Sequence, residues 1–154
     1  MPSGARPTRP NVGVGVGVVV TRRGALLLVR RAYHGAGSWA TPGGYLDQGE
    51  APEICAAREV REETGIEIEP GDLVFEGITN DIWPEDDRHS VTLWFETDRS
   101  RGEARLTQPD ESDAVGWFPD SELPEPIYRS LENYLAGRVY RPLPARDPTD
   151  GGRR

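Results

Sequence analysis

Gly43-Gly44-Tyr45-Leu46-Asp47-Gln48-Gly49-Glu50-Ala51-Pro52-Glu53-Ile54-Cys55-Ala56-Ala57-Arg58-Glu59-Val60-Arg61-Glu62-Glu63-Thr64-Gly65-Ile66 is the stretch on which the reading of this chain turns. It opens as a glycine-rich loop and closes as a short helix crowded with carboxylates. On a helix advancing ~100° per residue, Glu59, Glu62 and Glu63 fall within an arc of roughly 100°. Ala57, Val60 and Thr64 fall on the other side. Pro52 and Glu53 suit a first turn, where a missing N–H costs nothing and negative charge meets the positive end of the dipole. Gly65 suits the left-handed position that ends a helix. Three like charges on one face repel one another and give the helix no stability of their own. A hard divalent cation turns that repulsion into attraction, because Mg²⁺ takes oxygen ligands and shares its shell with phosphate oxygens.

The spacing is more informative than the charge. Gly44, five residues, Glu50, seven residues, then Arg58-Glu59-Val60-Arg61-Glu62-Glu63-Thr64-Gly65-Ile66 fixes nine positions within 23 residues. This is the pattern GX5EX7REUXEEXGU (U, a bulky apolar residue), and the chain resembles the Nudix hydrolases on it. The resemblance implies an α/β fold, an α/β/α sandwich with a mixed β-sheet and one main helix on each side. It implies Mg²⁺, with Mn²⁺ as a substitute. It implies Glu59, Glu62 and Glu63 as catalytic and metal-binding residues, joined by the backbone carbonyl of Gly43. Glu59 is the favoured base. Some members of the family add a carboxylate from the loop before the last strand, which here means Glu111 ahead of Asp113. Glu50 and Arg58 read as an ion pair that clamps loop to helix.

The rest of the chain bounds the reading. With 154 residues it suits one domain with a sizeable core. The net charge of −8 disfavours non-specific binding to long nucleic acid, which needs a basic footprint. Cys55 is the only cysteine, which excludes an internal disulfide and a thiolate zinc cluster. No apolar run reaches the ~18 residues of a membrane span, so a cytoplasmic, membrane-free protein is expected.

Residues 1–10 read as a disordered tail, 11–137 as the domain, and 138–154 as a mostly disordered tail. Val12–Val20 alternates Val with Gly and reads as a strand. Its glycine face permits close approach of a neighbour. Either it packs against the helix of the motif or it forms part of a base-binding pocket. Strands are expected at Ala25–Arg31, Leu73–Asn80, His89–Thr97 and Ala114–Phe118, with a second helix at Ile127–Ala136. Trp39, Trp83 and Tyr128 are the candidate substrate-binding aromatics, Trp83 as a lid in a polar loop. Trp94 and Trp117 sit in strands and read as core. His34 reads as an exposed loop residue, His89 as a strand opener, and Cys55 as inert filling.

Flanking stretches (VGVGVGVVVT, GAGSW, PGGYLDQGE, HSVTLWF) look most like a branch of the family that acts on guanine-type nucleoside triphosphates and forms homodimers. The resemblance thus implies cleavage of a nucleoside triphosphate, or of an oxidised nucleotide, to monophosphate and pyrophosphate. Two alternatives stand beside it. One is an ADP-ribose or nucleotide-sugar pyrophosphatase; the other is a non-catalytic nucleotide-binding domain.

Overall fold

A computed structural model describes residues 11–144; the expected tails at 1–10 and 145–154 lie outside the described residues. In chain order the elements are β1 (Gly13–Arg22), β2 (Ala25–Arg31), β3 (Trp39–Ala40), β4 (Gly43–Tyr45), α1 (Pro52–Thr64), β5 (Val74–Trp83), β6 (Arg88–Thr97), β7 (Ser112–Pro119) and α2 (Arg129–Leu135). The seven strands form one sheet in the order β3-β2-β1-β6-β5, with β4 added on β1 and β7 on β2. Only β1 and β6 run parallel among the named pairs; the others are antiparallel. The sheet is therefore mixed, with one helix on each face, as the motif implied.

The alternation of β1 sets the two layers. Val16, Val18 and Val20 point to one side and join Cys55, Ala56 and Val60 of α1 in a core with Leu27, Ile66 and Phe95. Val19 points to the other side and joins Leu26, Leu28, Trp94 and Leu131 of α2. The glycines share the Val19 face. They do not pack against α1, and that expectation is corrected: the valines face the helix. Gly15 and Gly17 line a cavity instead.

Helix α1 starts with Pro52 in its first turn and ends at Gly65, whose φ of 74° is left-handed. Several other boundaries differ from the sequence reading, most by one or two residues as in β6 and β7, and three bear on the site. Gly43–Tyr45 is a strand, not a loop, paired with Gly15–Gly17 of β1. β5 runs on through Asp81 to Trp83 rather than stopping at Asn80. α2 starts at Arg129, because Ile127 is still extended and bridges Trp39. Beyond α2, part of the expected tail is paired: Tyr140 exchanges two backbone hydrogen bonds with Ile78.

Candidate functional site

The local sequence explains how the carboxylates of α1 are placed. Arg58 points back along the helix to Glu50, donating from Nε (2.7 Å) and Nη2 (3.0 Å) to its two oxygens. Glu50 also accepts from the Asp47 backbone N–H at 3.1 Å. This bidentate pair ties the loop to the helix. The Arg58 hydrogen bonds, then that of Asp47, hold the Glu50 carboxyl at about 2, far below its ordinary value.

Arg58 does more than the spacing predicts. Its Nη1 donates to Glu59 at 3.1 Å and to Glu62 at 3.0 Å. Two of the three carboxylates thus share one guanidinium nitrogen. The third, Glu63, is nearly buried at 9% exposure. Burial pushes the Glu63 carboxyl well above its usual range, and repulsion from Glu59 adds to it, against Arg31 and the Gly43 backbone amide. Burial also raises Glu59, with Arg58 opposing. Among the described residues no three such side chains converge on one point. The expected trio shares a helix face, but Arg58 draws Glu59 and Glu62 aside. The donor set is nevertheless all hard oxygen and includes a carboxylate whose charge is penalised by burial. That fits a hard divalent cation.

The close glycines fix the approach of β4. A Cβ on Gly44 would stand 2.4 Å from Glu59 Oε1, and a Cβ on Gly43 would stand 2.1 Å from the Val16 carbonyl oxygen. Gly43 and Gly44, together with Glu59, Glu62, Glu63 and Glu111, line a cavity of about 640 Å³. Trp83 and Tyr128 line it too, stacked with centroids 5.4 Å apart. Trp83 is buried at the end of β5, so it is a fixed wall and not a lid in a polar loop.

Trp39 is the residue that the structure does not bring to the site. It sits edge-on to Phe118 at 4.8 Å and packs in the α2-side core. Backbone bonds to both sides of Ile127 (Trp39 N to Pro126 O, Tyr128 N to Trp39 O, each 2.8 Å) hold it there. Asp113 is drawn off by Arg30 at 2.6 Å. His89 bonds Asn80, and exposed His34 lines the cavity. Cys55 is fully buried, and burial pushes its thiol up to about 12.

Sequence reasoning missed Arg88, Ser90 and Thr92, and placed Trp94 only in the core. All four line the cavity, and they alternate along β6. The period of two was the available signal. Arg88 lies over the Trp83 ring at 4.1 Å and donates to the Tyr128 hydroxyl at 2.5 Å. Arg31 covers the Tyr128 ring at 4.1 Å.

A mixed sheet between two helices, with a carboxylate-bearing helix at the edge of an aromatic and guanidinium cavity, defines the class: an α/β/α sandwich built around an acidic site. A NUDIX domain model matches residues 11–136, and the chain belongs to the Nudix family. Nudix hydrolases generally use divalent metal ions. The protein is 38% identical over 141 residues to the NAD-capped RNA hydrolase NudC of Stutzerimonas stutzeri, covering 88% of this chain and 49% of that protein. The chain thus spans about half the length of such relatives. A MutT-like protein of Streptomyces ambofaciens is 41% identical over 71% of this chain and 64% of its own length. Among solved structures, the MutT NUDIX hydrolase of Burkholderia pseudomallei superposes with a TM-score of 0.77 at 31% identity, covering 82% of this chain and 98% of that one.

Proposed function

We propose that the protein is a Mg²⁺-dependent pyrophosphohydrolase that converts a nucleoside triphosphate, or a modified one, to monophosphate and pyrophosphate. The observation that carries this reading is the composition of one cavity. Carboxylates of α1 and the Trp83–Tyr128–Arg88 group line the same space, so an anhydride and a nucleoside can be held together. Glu59, Glu62 and Glu63 would hold the metal with the Gly43 carbonyl, and Glu111 would join them. Bound there, Mg²⁺ supplies charge neutralisation for the phosphates and a lowered pKa for attacking water. Glu59 accepts the proton as water oxygen bonds to phosphorus; the P–O bond of the anhydride breaks and pyrophosphate leaves. Arg58 and Glu50 keep the loop and helix in register. Trp83 and Tyr128 supply faces for a base.

The relatives named NAD-capped RNA hydrolases favour a second reading, in which the anhydride belongs to a dinucleotide such as NAD or to ADP-ribose. For the same reason the net charge of −8 does not by itself exclude an RNA end as substrate. Among the described residues no helix is long and apolar enough to cross a membrane. We place the protein in the cytoplasm as a homodimer, which sedimentation velocity tests for the assembly.

The deciding experiment is a substrate screen with Mg²⁺ over nucleoside triphosphates, oxidised nucleotides, NADH, ADP-ribose, nucleotide sugars and NAD-capped RNA. Pyrophosphate release from triphosphates supports the first reading. Nicotinamide mononucleotide or ribose phosphate, released together with the adenosine monophosphate half (or the 5′-monophosphate RNA) and with no pyrophosphate from triphosphates, moves the assignment to the second. Nucleotide binding without any turnover leaves a binding domain.

A further inference from the structure

Resting on the reading of a nucleotide in this cavity, we infer that Thr92 presents a hydrogen-bond acceptor to an N–H of the base, and that buried Asp81 sets this polarity. Asp81 is fully buried on β5 and takes three hydrogen bonds. Thr79 Oγ1 donates to its Oδ2 at 3.0 Å, Thr92 Oγ1 to the same oxygen at 2.6 Å, and Asn133 Nδ2 to Oδ1 at 2.8 Å.

Two of these donors have their direction fixed from behind. The Trp94 indole N–H, which can only donate, gives to Thr79 Oγ1 at 2.8 Å, so the Thr79 proton goes to Asp81. The Arg138 guanidinium, also donor-only, gives to Asn133 Oδ1 at 3.1 Å, so the Asn133 amide turns its NH₂ to Asp81. Asp81 is therefore an acceptor on both sides, and Thr92 donates its single proton to it. What Thr92 has left is lone pairs.

Those lone pairs belong to a residue that lines the cavity and is only half-buried. On the parallel neighbour, Thr92 is in register with Gly15. A residue with no side chain at that place leaves the hydroxyl uncovered. The ligand class follows: a base carrying a ring or exocyclic N–H, such as guanine, is accepted. A base with only acceptors on its edge is not rewarded.

The test uses Thr92→Val and Thr92→Ser in the full chain. Affinities for guanosine monophosphate and for purine riboside monophosphate, whose base has no N–H, are measured in EDTA by tryptophan fluorescence. KM and kcat are measured on the matching triphosphates with Mg²⁺. Loss of one such hydrogen bond predicts an affinity for the guanine nucleotide about tenfold weaker in Thr92→Val. The change appears in KM and not in kcat, purine riboside shifts less than about twofold, and Thr92→Ser restores the guanine value. Asp81→Asn places an amide N–H against Thr92 and turns its proton outward, so purine riboside binding tightens as guanine binding weakens. Equal losses for both nucleotides in Thr92→Val, or no loss, overturn the role of Thr92. Unchanged purine riboside affinity in Asp81→Asn overturns the role of Asp81. If the wild type binds and hydrolyses no nucleotide, the proposed function falls and this inference falls with it. If nucleotides are hydrolysed but the base-dependent loss is absent, this inference falls alone.

Discussion

Gly44→Ala separates the chemistry from the fold. The added Cβ would lie 2.4 Å from Glu59 Oε1 and 2.6 Å from its Cδ. Ordinary contact begins near ~3.5 Å, so the Glu59 carboxylate must move by about 1 Å. The atom that must yield is the end of a flexible side chain, so the backbone has no reason to shift. Gly44 also lacks the left-handed φ that makes alanine strained. Replacing it removes freedom from the unfolded chain, which favours the fold by about 0.4–1 kcal/mol. The melting temperature in EDTA should stay within about 3 °C of wild type. A displacement of about 1 Å at a group that positions reactants costs on the order of 100-fold in rate. The assay pairs thermal unfolding with Mg²⁺-dependent turnover of the substrate found by the screen. A kcat within twofold of wild type refutes the claim that Glu59 must sit against Gly44, and a collapsed melting temperature refutes the separation.

Gly43→Ala gives the opposite outcome, because its Cβ would meet the Val16 carbonyl of β1 at 2.1 Å and neither strand can yield; melting should fall by about 5 °C or more. Glu63→Gln removes a buried charge that repels Glu59, so the metal-free protein should melt no lower than wild type, while the rise in melting temperature with Mg²⁺ shrinks and turnover drops by about 100-fold or more. The Glu50 carboxyl is depressed from 4.5 to about 2 in the fold, so its contribution is full above pH 4.5 and is lost as pH falls towards 2. Melting curves of wild type and Glu50→Gln should therefore converge across that window, and parallel curves would contradict the clamp. Cys55, buried with its thiol pushed up to about 12, should resist a disulfide reagent at pH 8 until the chain unfolds.

The fold was legible where local rules and tertiary demand coincide. β2 occupies the apolar run Ala25–Arg31, and α1 begins at Pro52 and stops before Gly65, each as the sequence implies. β4 was hidden because Gly-Gly-Tyr shows no alternation; only the partner strand makes it extended. β5 seemed to end before Asp81 because a carboxylate rarely belongs in a buried strand. Its three donors come from Thr79, Thr92 and Asn133, up to 52 residues away. The candidate site divides in the same way. Spacing along one helix gathered Glu59, Glu62 and Glu63 and paired Arg58 with Glu50. It gave no hint that Arg58 also holds Glu59 and Glu62, since helix periodicity fixes a face and not a rotamer. Trp39 was misplaced because its position depends on Pro126 and Tyr128, far along the chain.

The remaining half of the site lies in β1 and β6, and its logic is a register. Gly13, Gly15 and Gly17 stand beside Ser90, Thr92 and Trp94 in the parallel pair. A Cβ at Gly17 would meet the Trp94 ring at 2.6 Å, and one at Gly15 would meet the Gly44 carbonyl at 3.0 Å. The glycines therefore answer two demands. They let Trp94 and β4 come close, and they leave the Thr92 side of the sheet open to the cavity. The valines between them hold the other face against α1. A strand that must bury one face and leave the other unfilled has to alternate a β-branched residue with none at all. The Val-Gly repeat is thus as much a part of the site as the acidic helix: the helix sets where charge gathers, and the repeat sets how much room the cavity has beside it.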